Sequence, residues 1–491
     1  MSLPAEVYSV ESVRRIDHVA INEAGIAGYE LMTRAAQSAL DEALAAFPDA
    51  RRWQIVCGGG NNGGDGYALA RLAGERGIAV SVLALSAPDR LQGDAKTAYL
   101  DYEAAGGITT GWEGALDADA ELLVDALLGS GLQRDVGGRY ADAVDAMNGH
   151  GAPVLALDIP TGINGDSGAI MGKAVRAALT VTFVGLKRGL FLDRGPACVG
   201  RLRFAGLDIP AECRAAVPAD MLRISDAALA GALPRRPRNA HKGDFGHLLV
   251  IGGGPGMPGA VRLAGEAALR SGAGLVSIAT FPGHEAAIVA GRPELMCHAI
   301  ERPDDLGPLL ERATTIALGP GLGTGDWSAK MFEVAVGSAL PMVIDADGLN
   351  LLAGSGYRND NRVLTPHPGE AARLLGTSTG EIQADRRDSV SALQQKYGGT
   401  IVLKGAGSLV SSQTGPVWLC TAGNPGMSAP GMGDVLTGIV GALLAQGLDT
   451  ETAAVVGTEV HARAGDAAAA TGERGLLASD LMRELKAQVN P

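Results

Sequence analysis

The chain has 491 residues, too many for one ordinary hydrophobic core, so two domains are expected. Its formal net charge is −13 and both halves are acidic, which argues against a nucleic-acid or anionic-membrane partner. Five scattered cysteines (57, 198, 213, 297 and 420) with no C-x-x-C suit a reducing cytoplasm and argue against a disulfide framework or zinc site. The N-terminus, with Glu6, Glu11, Arg14 and Arg15, lacks the apolar core of a signal peptide. No apolar run approaches the ~20 residues of a membrane span. Glycine, 71 of 491, is about twice its usual share and points to tight loops between packed elements.

In the first half, β-rich runs at Trp53–Cys57, Ala79–Leu85, Leu122–Ala126, Val154–Leu157, Leu179–Phe183 and Leu202–Phe204 alternate with helical segments such as Tyr67–Arg76 and Tyr140–Met147. This alternation predicts a parallel sheet covered on both faces, with ligands at the C-terminal strand ends. Polar motifs sit at those ends. The first run leads into the glycine loop Gly58 to Gly66, which holds Asn61, Asn62 and Asp65; the third contains Asp125 and leads into Gly129-Ser130-Gly131-Leu132; the fourth ends in Asp158-Ile159-Pro160-Thr161-Gly162. Each acid alone reads as a turn former or cap. Three such ends together favour a site, and its oxygens suit a hard cation beside a phosphate-bearing ligand.

Pro210 to Asn239, with Pro218, Pro234, Pro237 and an arginine patch, reads as a linker, giving domains at 1–222 and 223–491. The second half repeats the alternation, with strands expected at Leu248–Ile251, Leu275–Ala279, Thr315–Leu318, Met342–Asp345, Arg362–Leu364 and Ile401–Leu403. Its strand ends carry Gly252 to Ala260, Gly319-Pro320-Gly321-Leu322-Gly323, Asp345 to Asn350, Thr365-Pro366-His367-Pro368-Gly369-Glu370 and Lys404-Gly405-Ala406-Gly407-Ser408. Further on, Gly431-Met432-Gly433-Asp434 opens the apolar segment Val435 to Leu448. A glycine loop entering a helix presents free N–H groups and a positive dipole end to an anion. A carboxylate in that first turn is placed to take a proton from a hydroxyl beside the phosphate.

The run Val56-Cys57 to Gly66, Val124 to Gly129, Asp158 to Gly162 and Gly185-Leu186-Lys187-Arg188-Gly189 resemble the NAD(P)HX epimerase family over residues 10–210. In the second half, the Gly431-Met432-Gly433-Asp434 loop entering a helix resembles the ribokinase-like kinases, and Gly259-Ala260, Gly319 to Gly323, Thr365 to Glu370, Lys404 to Ser408 and Gly423-Asn424-Pro425-Gly426-Met427 narrow the resemblance. Within those kinases the second half is similar to the ADP-dependent NAD(P)H-hydrate dehydratases over most of 238–488. The whole chain resembles the bifunctional NAD(P)H-hydrate repair enzymes. It departs from the family's Ala-Thr/Ser-Gly-Gly in having Ser428-Ala429-Pro430-Gly431, where proline lacks an N–H.

The resemblance implies a Rossmann-like three-layer α/β/α domain followed by a ribokinase-like α/β domain. It implies that Asp434 is the dehydratase base and that Asp125 is the best acid/base candidate of the epimerase. The epimerase substrate would lie on Asn61, Asn62, Gly63, Gly64, Asp65, Gly129, Ser130, Gly131, Leu132 and Asp158. Asn62, Asp125 and Thr161 would hold K+. The hydrated nicotinamide of the second site would lie on Ala260, Gly321, Gly323, His367 and Asp434. The nucleotide would lie on Lys404, Gly405, Ala406, Gly407, Ser408, Gly431 and Gly433, with ADP as co-substrate and Mg2+. It implies small-molecule partners, NADHX or NADPHX and ADP, and a homo-oligomer. A plain kinase of vitamin-like alcohols fused to a non-catalytic nucleotide-binding module is the alternative reading.

Overall fold

Seven short strands, apolar in the centre and more polar at the two edges, build the first sheet in the computed structural model, which describes residues 3–490. The chain divides into two compact units, Met1–Met221 and Leu222–Pro491. In the first, the strand order is Thr109–Gly111, Ala79–Ala84, Arg52–Cys57, Leu122–Ala126, Val154–Leu157, Leu179–Phe183, Arg201–Ala205, all parallel. The order reverses between Arg52–Cys57 and Leu122–Ala126, the switch point where a doubly wound sheet opens a crevice. Both strands are buried almost throughout, as a sheet covered on both faces demands.

The glycine segment after Cys57 is not all loop. The helix expected at Tyr67–Arg76 begins at Asn61 and runs to Glu75, so Asn61 to Gly66 form its first turns. Glycine is a poor helix former, and tertiary packing overrides that here. A Cβ on Gly66 would press on Ala126 and Cys57, and one on Gly64 on Met32 and Ala95. The helix can therefore lie close on the sheet and bring Asn62 and Asp65 to the crevice.

In the second unit, seven parallel strands run in the order Met296–Ala299, Leu275–Thr280, His247–Ile251, Thr315–Leu318, Met342–Ile344, Arg362–Leu364, Thr400–Leu403. Antiparallel Ser408–Ser411 and Trp418–Cys420 extend the sheet, and Leu222 and Arg223 pair in parallel with Trp418 and Leu419. The segment 210–239, expected as a linker followed by the entry to the second domain, also forms the helices Ala211–Ala215 and Asp226–Ala232. The apolar helix Met432–Ala445 is buried on nearly every side at the centre of this unit's core. Among the described residues no helix is long and apolar enough to cross a membrane.

Candidate active sites

In the first unit, the ends of Arg52–Cys57, Leu122–Ala126 and Val154–Leu157 border a cavity of about 930 Å³. Asn61, Asn62, Asp65, Gly129, Ser130, Gly131, Leu132 and Asp158 line it, together with Asp17, Arg134 and Lys187. Asp158 occupies the left-handed region with φ of 68°, a conformation that a non-glycine residue adopts only under local constraint. The constraint is Lys187, whose buried ammonium donates to the Asp158 carboxylate, to Thr182 Oγ1 at 3.1 Å and to the Phe183 carbonyl at 2.7 Å. All three of its N–H bonds are used. Ser130 N donates to the other Asp158 oxygen at 3.4 Å. Around this pair stand two more acids. Burial pushes Asp17 up to about 6, with Lys187 opposing and Asp158 adding. Burial also pushes Asp65 well above the usual carboxylate range, helped by Asp158 and Asp17.

Asp125 is placed differently. It is fully buried, does not line the cavity, and its carboxylate accepts from Thr161 N and Thr161 Oγ1, both at 2.7 Å, and from Leu127 N at 3.2 Å. Burial still pushes it up to about 6 against those three donors. As placed, it ties two strand ends together and does not face the substrate space, which counts against the expectation of an acid/base role. Asn62, also buried, has neither side-chain atom hydrogen-bonded. Among the described residues no cluster of three or more His, Cys, Asp or Glu is arranged to hold a metal.

In the second unit, the helix Met432–Ala445 starts from Gly431 with φ of 86°, left-handed backbone that glycine adopts without penalty. Asp434 lies in its first turn. Lys404 Nζ, at the end of Thr400–Leu403, donates to Asp345 Oδ1 at 2.7 Å and lies 3.7 Å from Glu370 Oε2. Thr437 Oγ1 donates to the other Asp345 oxygen at 2.9 Å. A Cβ on Gly433 would sit 3.1 Å from Asp345 Oδ2 and 3.4 Å from Lys404 Nζ, so the helix start, the acid and the lysine meet at one point. Burial alone would raise Asp345 and lower Lys404. Their mutual attraction wins, leaving Asp345 below and Lys404 above their ordinary values. Asp434 goes the other way: burial, reinforced by Asp345, pushes it up to about 7 against the pull of Lys404. Burial takes Glu370 up to about 6.

The remaining strand ends carry the other expected residues. Gly323 N donates to Asp347 Oδ2 at 2.8 Å, and Gly321 packs against Ala260. His367 Nδ1 accepts from Gly369 N at 3.0 Å, capping the helix Pro368–Leu375 and leaving Nε2 to carry the proton of the neutral ring. The buried Arg386 guanidinium donates to the carbonyls of Leu403, Lys404 and Gly407, which sets the loop 404–408.

Residues 28–189 match the sequence profile described as YjeF-related protein N-terminus, and 248–487 that of NAD(P)H-hydrate dehydratase. A curated relative, the bifunctional NAD(P)H-hydrate repair enzyme of Coxiella burnetii, is 47% identical over 486 residues, covering 99% of both chains. The chain belongs to the bifunctional NAD(P)H-hydrate repair enzymes. Among solved structures, a ribokinase-like superfamily protein from Enterococcus faecalis is similar at 28% identity and TM-score 0.51, covering 55% of this chain and 95% of that one. An ADP/ATP-dependent NAD(P)H-hydrate dehydratase from Bacillus subtilis, co-crystallised with ATP and Mg2+, follows at 27% identity and TM-score 0.50, over 55% and 97%. The full-length match to repair enzymes favours repair over a vitamin-alcohol kinase.

Within this repair enzyme, sequence reasoning missed several residues that the fold brings to the sites. Asp345 and Glu370 crowd Lys404 and Thr437 braces Asp345, and only the strand-end position of the two acids hinted at it. His461, on the helix Thr450–Ala468, is pushed down to about 4 by burial, with the charge of Lys404 lowering it further, and its buried Nε2 is unbonded. Arg386 and Asp17 carry no local motif.

Proposed function

We propose that residues 223–491 dehydrate the S epimer of NADHX or NADPHX at the expense of ADP, and that residues 1–222 convert the R epimer into the S form. The observation that carries the reading is Asp434, a carboxyl titrating near neutrality in the first turn of an anion-attracting helix, against a lysine anchored by Asp345. Hydroxide is a poor leaving group. Asp434 takes the proton of the C6 hydroxyl as its oxygen attacks the terminal phosphorus of ADP, and AMP departs. The bond between C6 and the phosphate oxygen then breaks, pushed by the ring nitrogen's lone pair; a proton leaves C5, giving NAD(P)H and phosphate. The N–H groups of Gly431, Met432 and Gly433 stabilise charge on the transferred group. Pro430 offers none, and the site works without that donor.

Lys404 and the loop to Ser408 hold the nucleotide. Ala260, Gly321, Gly323 and His367 border the hydrated ring. Mg2+ accompanies the nucleotide phosphates, where it would offset their charge. In the first unit, Asn62, with Asp125 and Thr161, would hold K+, which supplies a fixed positive charge beside the substrate; the unbonded, buried Asn62 amide supports this. The cysteine content and the small-molecule chemistry fit a cytoplasmic enzyme.

Mixed NADHX epimers incubated with ADP test the whole reading. NADH absorbance should return to full yield, with one phosphate and one AMP per NADH. Accumulation of a stable phosphorylated substrate would mark a kinase instead, and recovery stopping at the S fraction would remove the epimerase.

A further inference from the structure

The helix Val10–Asn22 lies ahead of every strand-end motif, yet it forms a wall of the epimerase cavity. Val13, Arg14, Asp17 and Ile21, spaced three and four apart and so on one helical stripe, all line it. The helix is firmly placed. Ser9 caps it through Ser12 N at 3.1 Å, Val10 N donates to Asp166 Oδ1 at 2.9 Å, and Arg188 holds Asp166 at 3.0 Å. Asp17 faces Lys187 and Asp158, and its charge reaches Asp65. Arg14 lies nearer the loop Gly129 to Leu132: a Cβ on Gly131 would stand 2.9 Å from its Nη2.

We propose that this helix supplies two working residues of the epimerase: Asp17, which exchanges a proton with the substrate alongside Asp158, and Arg14, which grips the substrate diphosphate. The proposal rests on the repair reading and adds residues to it. The hydrated C6 carries both a hydroxyl and the ring nitrogen N1, so it is a hemiaminal carbon and can invert by opening and closing. A carboxylate takes the hydroxyl proton, and the O–H electron pair becomes the second bond of an aldehyde. The C6–N1 pair stays on N1, which takes a proton from a carboxylic acid. After rotation about C5–C6 the same steps run backwards onto the other face, returning both protons. The cycle needs one ionised and one protonated carboxyl within reach. Asp17, Asp65 and Asp158 around one lysine provide that, because three half-buried negative charges crowded together favour a shared proton over full ionisation against one positive charge. A dinucleotide also brings two phosphate charges. The cations lining the cavity are Arg14, Arg134 and Lys187, and Lys187 has spent its three donors on Asp158, Thr182 and Phe183. Arg14, exposed and on the wall, is free to meet the diphosphate.

The test follows R-to-S conversion of purified (R)-NADHX by chromatography, with the full-length chain and without ADP, so that dehydration is silent. Asp17→Asn is isosteric and neutral, so the fold should tolerate it. It should lower kcat by ~10²-fold with KM kept within about twofold, the pattern of a lost proton carrier. Arg14→Ala should instead raise KM by roughly tenfold at near-constant kcat, with Arg14→Lys in between. Wild-type kcat in Asp17→Asn, or kcat and KM spoiled together, would overturn the role of Asp17. An unchanged KM in Arg14→Ala would overturn that of Arg14. If the wild-type chain does not epimerise at all, the repair reading of this unit fails instead.

Discussion

Each unit places a lysine against an aspartate at strand ends and surrounds the pair with further carboxyls, but the two lysines are spent differently. The Lys187 side chain is 2% exposed, and its donors all go to fixed protein acceptors. It is an internal counter-ion that pins Asp158 in a left-handed turn and lets Asp17 and Asp65 compete for a proton. The Lys404 side chain is 20% exposed, bonded to Asp345 on one side and open toward the helix start at Gly433 on the other. It can keep its anchor and still meet an incoming anion. A saturated lysine therefore suits proton exchange without net charge transfer, and an open lysine beside a helix N-terminus suits phosphoryl transfer.

The largest expected effect separates the two centres by their base. Asp434→Asn should cut dehydration by at least ~10²-fold while ADP still binds and the epimerase rate stays at the wild-type level. Near-normal dehydration would reduce Asp434 to a helix cap and break the comparison at its sharper end. The lysines come next. Lys404→Met strands the buried Asp345 carboxylate, so chemical denaturation should show a loss of about 3–5 kcal/mol in the second unit, and Lys187→Met, which strands the partly buried Asp158, a smaller loss in the first. Only Lys404→Met should also raise the KM for ADP, by roughly tenfold. Should Lys187→Met weaken (R)-NADHX binding to the same degree, Lys187 is no internal counter-ion.

What the sequence made legible follows from range. Most strands could be read from short apolar runs between turns, and Asp434 and Lys404 from glycine loops, because those signals are local. The start of the helix at Asn61 was not readable, since glycines disfavour helix until the sheet packs against them. The parallel pairing of Leu222 and Arg223 with Trp418 and Leu419 joins residues nearly two hundred apart and left only a proline-rich trace. Asp17 sits in no motif. Its meaning comes from Lys187, a hundred and seventy residues away, and no spacing rule connects them.

A smaller effect concerns pH. Asp434 is raised from 3.8 to about 7, so it is increasingly protonated as pH falls below 7, and dehydratase kcat/KM should drop there and level off above. The stability sign is opposite. Burial penalises the ionised form, so the cost is absent below the ordinary carboxylate value, grows as pH rises toward 7 and is complete above it. Asp434→Asn should then melt higher than wild type at pH 8 and much like it at pH 4. A lower melting point at pH 8 would mean that the ionised carboxylate is compensated in the fold.

The smallest effect tests the cation that only the first unit is proposed to use. Asn62 is buried at the start of its helix with neither amide atom bonded, an arrangement costing roughly 1–3 kcal/mol unless something meets it. Asp125 and Thr161 lie at the adjoining strand ends, with one carboxylate among the three, and neither histidine nor cysteine joins them. Such oxygen-rich, singly charged surroundings favour a weakly hydrated monovalent ion over calcium or a transition metal. Exchanging K+ for Na+ or choline at constant ionic strength should slow epimerisation severalfold and leave Asp434-dependent dehydration of the S epimer unchanged. K+ should also raise the melting temperature of wild type, as any ligand of the folded state does, and Asn62→Ala should erase that rise. Asp125→Ala should be slow in every salt. Equal wild-type rates and melting points in all three salts would leave Asp125 and Thr161 as a brace between strand ends, and the contrast between the two centres would then rest on their lysines alone.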